Sequence, residues 1–292
     1  MNRILRTGAV VGLLLLANVA SGRDEAMPPD ERPDAQPRRD TDQSVREAKA
    51  FTEWAAVEAR LWKLTLENDD RTVATDQKAP VLNWSWSDNG RYYGNVHVFT
   101  AHGRPVAIVK YFEWFSPIEG VFFQCTSLTN VPLTATRDGQ EIWAPRNNNV
   151  VMRDVPDAPA PAVTPAARLV QMRRIAEVFK VELDDKRGTE AYTTRQLRLM
   201  SRPIFRYGDK EGEVVDGALF AYAVSADPGA LLILEAVRSK NDVRWQFGFP
   251  RAWSFSGRAE YAGQRVWEIE EVNLRADPKS NFYLNALPRT AK

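Results

Sequence analysis

His97, His102 and Cys125 are the chain's whole complement of histidine and cysteine. A zinc centre of the usual Cys/His make-up cannot be assembled from them, and a single cysteine forms no intramolecular disulfide. A nucleophilic thiol needs a base beside it. Cys125 lies in Val121-Phe122-Phe123-Gln124-Cys125-Thr126, a strand-like run in which it reads as a small apolar core residue. The chain has no Gly-x-Ser-x-Gly elbow, Ser-x-x-Lys motif, Gly-x-x-x-x-Gly-Lys loop or dinucleotide fingerprint after a strand. No cofactor is therefore expected. Carboxylate pairs remain, because glycoside hydrolysis asks only for two carboxyls at the right separation in space. Glu113, Glu119 and Glu235 lie in or near strands and could serve. Asp69-Asp70 and Asp184-Asp185 read as turn residues and solvated charge, so no metal is expected either.

Two further sets could bind rather than react. Asn95, His97 and Phe99 share one strand face by period two. Trp84 and Trp86 alternate along another strand, and Trp114 ends a hairpin arm; such a row could stack a sugar if it were exposed. The candidate binding residues are thus Trp84, Trp86, Asn95, His97, Glu113 and Trp114, with no catalytic residue assigned.

The elements that must position them come in two similar series. Pro80-Val81-Leu82-Asn83-Trp84 matches Pro203-Ile204-Phe205-Arg206-Tyr207. At the same spacing Gly94 falls on Gly217, Asn95 on Ala218 and His97 on Phe220. Leu61 to Glu67 matches Val178 to Asp184, and Gly139 to Trp143 matches Gly263 to Trp267. Three blocks in the same order predict an internal duplication. The His97 and Asn95 matches also predict a polar patch in the first copy that the second lacks.

Each copy opens with a helix. Ser44-Val45-Arg46-Glu47 is a capping box, followed by the stripe Ala48, Phe51, Ala55, Ala59 and Trp62. Thr164 caps the second helix with Pro165 at its first position, before Leu169, Met172, Ala176 and Phe179. Hairpin arms at 93–100 and 105–115, and at 218–224 and 230–237, are rich in β-branched and aromatic residues. The expected class is α+β: two tandem copies of a helix packed on a bent antiparallel sheet.

Around these copies the sequence predicts a signal peptide at 1–22, with Arg3 and Arg6 before an apolar run from Gly8 to Ala20. A disordered, Pro-rich charged spacer follows at 23–43. Copy 1 spans 44–152, a Pro-rich linker 153–163, copy 2 164–270, and a loosely docked tail 271–292. With 39 Lys+Arg against 38 Asp+Glu the net charge is +1, which removes the basic field a nucleic-acid binder needs. Beyond the signal no apolar run is long enough to span a membrane.

The stretches Pro80 to Ser85, Gly94 to Trp114 with Gly103-Arg104-Pro105, Pro159-Ala160-Pro161, Arg168 to Arg173, and Asp216 to Phe220 together resemble an exported protein family of planctomycete-type bacteria. That resemblance spans most of the mature chain. It implies export and a whole-chain architecture, and carries no activity or catalytic residue. The expected function is a non-catalytic binding or scaffold module of the periplasm or cell exterior, meeting an envelope ligand or protein. The alternative is a carboxylate-dependent hydrolase acting on an envelope saccharide or peptide.

Overall fold

The stripe Phe51, Ala55 and Ala59 is buried on one face of helix α1, Asp42–Arg60. The helix starts two residues before Ser44, which places that expected cap inside the first turn. Helix α2, Pro165–Val178, begins as its sequence dictates: Ala167 N donates to Thr164 Oγ1 at 3.3 Å, and Pro165 occupies the first turn. The computed structural model describes residues 42–68, 71–76, 79–86, 91–116, 119–146, 150–185, 193–208, 212–239, 242–272 and 277–287. The signal-like segment, residues 23–41 of the spacer, Asp69, Asp70 and the side chain of Trp86 lie outside them.

After α1 come β1 (Trp62–Leu66), β2 (Val73–Asp76), β3 (Leu82–Trp86), β4 (Arg91–Ala101), β5 (Arg104–Ser116), β6 (Gly120–Ser127), β7 (Leu133–Arg137) and β8 (Gln140–Trp143). The short β9 (Arg153–Asp154) precedes α2. Then follow β10 (Phe179–Asp185), β11 (Thr193–Leu199), β12 (Phe205–Tyr207), β13 (Val214–Ala223), β14 (Pro228–Ser239), β15 (Asp242–Gly248), β16 (Gly257–Tyr261), β17 (Gln264–Ile269) and β18 (Phe282–Leu287). Every pairing described is antiparallel, as short connections require. His102 and Gly103, both at positive φ (+49° and +77°), form the two-residue turn between β4 and β5. Asp138-Gly139 and Ala262-Gly263 repeat it between β7 and β8 and between β16 and β17.

The first sheet runs β18-β6-β5-β4-β2-β1-β7-β8, with β3 also on β4. The second runs β9-β15-β14-β13-β11-β10-β16-β17, with β12 also on β13. The second order repeats the first strand for strand. Each sheet curls onto itself: Leu64 and Leu133 from one end share a core with Phe99, Val109 and Phe123 from the other, and α1 fills the hollow. Met172, Ile175 and Ala176 of α2 do the same with Phe220, Leu232 and Leu234. A third core lies between the sheets, where Val96, Val98 and Ile108 meet Leu219, Leu231 and Ile233. The central strands are covered on both faces, which explains their near-continuous apolar runs.

The expected α+β class is overturned. Among the described residues 55% are strand and 15% helix, and the two helices are fillers inside curled antiparallel sheets. The protein is mostly β. Nor is it a tandem of self-sufficient helix-and-sheet copies. β18, from the stretch expected to be a loosely docked tail, pairs along the whole of β6 in the first sheet, from Phe282↔Thr126 to Leu287↔Val121. The linker residues Arg153 and Asp154 add to β15 of the second. Both additions cover strand edges that would otherwise expose unpaired backbone groups.

Candidate functional site

The sequence candidates separate onto two faces of the first sheet. Asn95 and His97 on β4, and Tyr111 and Glu113 on β5, face α1. Asn95 lies opposite Tyr111, and Glu113 opposite Tyr93. All four are buried, with exposures of 0–3%. The His97 and Tyr111 rings are 5.5 Å apart, and Trp54 and Trp62 each meet Tyr111 edge-on at 6.2 Å. In the second sheet the matching positions are Ala218, Phe220, Leu234 and Ala236, all fully buried. The strand order therefore does not need polar residues here; the first sheet carries them in addition.

Asn95 bears the clearest cost. Neither Nδ2 nor Oδ1 has a hydrogen-bond partner among the described residues. An orphaned buried polar group costs about 1–3 kcal/mol. Asn95→Leu, similar in volume and apolar, is accordingly expected to raise the unfolding free energy by about 1 kcal/mol in a urea titration. A loss of that size instead would show that a bound water satisfies the amide.

Trp84 and Trp114 lie on the opposite face, toward the second sheet. Trp84 is 5% exposed and packs edge-on against Tyr92 at 5.4 Å. A stacking platform built on it is thus not present; its ring is core. His102 is spent on the turn, and Glu119 is exposed beside β6. Burial pushes the Cys125 thiol well above its ordinary pKa, which removes it from nucleophilic chemistry. Among the described residues no three His, Cys, Asp or Glu gather as metal ligands, and no helix is long and apolar enough to cross a membrane.

Among the described residues two ion pairs cross the junction between the sheets. They are reciprocal: the residue before Pro105 reaches β14, and the residue before Pro228 reaches β5. Lys110 Nζ donates to Asp227 Oδ1 at 2.9 Å and to the Pro228 carbonyl at 3.1 Å, with both side chains 1% exposed. The Trp253 ring lies 4.5 Å from Nζ and seals that end.

The other end is open. Arg104 Nε and Nη2 donate to the two Glu235 oxygens at 2.8 and 3.0 Å, and the Tyr207 hydroxyl donates to Oε1 at 2.7 Å. Glu235 is 2% exposed whereas Arg104 is 44% exposed. Burial alone would lower the Arg104 pKa, but the charge and hydrogen bonds of Glu235 outweigh it and hold the guanidinium above its ordinary value. Burial, then the charge of Glu235, pushes the Tyr207 phenol well up, so it stays a donor. Beside this clamp lies a cleft of about 300 Å³ whose lining joins the aliphatic Val150, Met152, Val214 and Val237 to the polar Thr129, Asn130, Glu213 and Gln246.

Of the cleft's polar groups the sequence raised only Glu235, as one of three strand carboxylates that could serve in a pair; here it is a clamp for Arg104. Arg104, Glu213 and Gln246 of the lining, and Tyr207 behind it, carry no functional signal in the sequence. The Arg-Pro step at the start of β5 was visible, but its partner lies 131 residues away. No family model, curated protein or solved structure matches the chain.

Proposed function

We propose that this chain is exported and acts as a non-catalytic binding module of the periplasm or cell exterior, taking a small amphipathic ligand at the open end of the sheet junction. One observation carries the reading: Arg104 is locked by a buried carboxylate and a buried phenol, yet remains half-exposed over a cleft of mixed polar and aliphatic lining. A donor fixed before the ligand arrives loses little entropy on binding. Glu235 is occupied by two donors, so it is poorly placed as an acid or base, which favours binding over hydrolysis. The basic start and apolar run at residues 3–20 support export. The repeated strand order and the sequence matches support a duplicated ancestor whose halves diverged. The resemblance to exported planctomycete-type proteins fits the same picture.

A thermal-shift screen of the full chain against envelope saccharides, peptides and small amphipathic molecules tests the reading. A ligand present at about 100 times its Kd stabilises the native state by about 2.7 kcal/mol. The expected hit raises Tm in the wild type and has no effect on Val214→Trp, which fills the cleft from β13. A hit that stabilises both proteins equally would place the binding elsewhere and defeat the proposal.

A further inference from the structure

From the cleft's donors and acceptors we infer that its ligand is an uncharged peptide group carrying an aliphatic side chain; this rests on the binding reading above. Three observations set the class. First, Arg104 uses the Nε–Nη2 edge of its fork for Glu235, and Nη1 takes no part in that clamp. The remaining edge offers parallel N–H donors suited to a carbonyl oxygen. Because Glu235 already matches the positive charge, these donors carry little net attraction for an anion. Glu213, whose charge also acts on Arg104, adds a negative rim that disfavours a carboxylate.

Second, the rim also accepts, at Gln246, the cross-strand neighbour of Glu235. Gln246 Nε2 donates to Asp154 Oδ1 at 2.9 Å, which fixes the amide and leaves its oxygen as the acceptor. With Glu213 it suits a ligand N–H. A peptide group presents both an acceptor and a donor, which matches the two kinds of group on this rim. Third, the lining is mixed, and Val150, Met152, Val214 and Val237 supply its aliphatic part. A branched aliphatic side chain matches that part.

Isothermal titration of the full chain with three probes of one aliphatic body reads this out. The probes are acetyl-Val-Val-amide, acetyl-Val-Val as the free acid, and Val-Val-amide with a free amine. The blocked amide is expected to bind about tenfold more tightly than the acid, the weight of one hydrogen bond plus the rim's repulsion. Glu213→Gln should narrow the gap to the acid. Arg104→Lys, which keeps the ion pair but loses the fork, should weaken the blocked amide by about tenfold. Equal or tighter binding of the acid or amine overturns the inference, as does the absence of binding by all three. The broader reading fails separately, if screen hits of other chemistry ignore Val214→Trp.

Discussion

Lys110→Met is expected to lower the unfolding free energy by about 3–5 kcal/mol, read as a fall in the urea midpoint with the slope unchanged. Asp227 is what makes the ammonium necessary. Its carboxylate is 1% exposed and sits where the two sheets meet, held by Lys110 at 2.9 Å. Removing the ammonium leaves a charge in a dry junction, and also strips the Pro228 carbonyl and the Trp253 ring of their cation. The pair itself is worth little, because both ions lost their water to form it. The double variant Lys110→Met/Asp227→Leu should therefore recover most of the loss. If the double variant is as unstable as the single, the junction needs the ion pair for more than charge balance.

Gly94→Ala carries a comparable penalty, about 3 kcal/mol at the upper end of overpacking costs. A Cβ on Gly94 would stand 2.2 Å from Cζ2 and 2.3 Å from Cε2 of Trp84, its cross-strand partner. The ring has little room to recoil, since it already packs against Tyr92 and Phe112 in the core between the sheets. The second sheet repeats the device: a Cβ on Gly217 would lie 2.5 Å from the ring of Tyr207, again its cross-strand partner. In a Trp84→Leu background the cost of Gly94→Ala should shrink by about 1–3 kcal/mol, the coupling of contacting residues. A penalty unchanged by Trp84→Leu would mean that backbone conformation, not the ring, makes glycine necessary.

Both experiments touch what could and could not be read beforehand. The hairpins were legible because their chemistry is local: His102-Gly103 specifies a tight turn, and the arms on either side are β-branched and aromatic. The Trp84/Gly94 and Tyr207/Gly217 pairs stood in the sequence as matched positions, although their contact did not. Period two also placed Asn95 and His97 on one face. It could not say which face was covered, and here both are, one by α1 and one by the second sheet. For that reason the alternation of Trp84 and Trp86 could not settle whether Trp84 was exposed, and its ring lies in the core.

The class was misjudged because helix signals are compact and strand signals are spread over many short runs. α1 and α2 were easy to see, and their share of the fold was overestimated. β18 was missed because Phe282-Tyr283-Leu284-Asn285-Ala286-Leu287 has no turn beside it to announce a hairpin; its partner β6 lies far back in the chain. The cleft was hidden for the same reason. It exists only once Arg104 from one sheet meets Glu235 and Tyr207 from the other.

The central claim is that ligand enters the open end of the junction, and the methionine methyls report on it directly. Met152 lines the cleft, whereas Met172 is fully buried on the inner face of α2. A methyl NMR titration of the full chain, labelled at methionine, with acetyl-Val-Val-amide or any hit from the screen, should shift Met152 and leave Met172 in place. A ligand that moves Met172 while Met152 stays still would contradict the account.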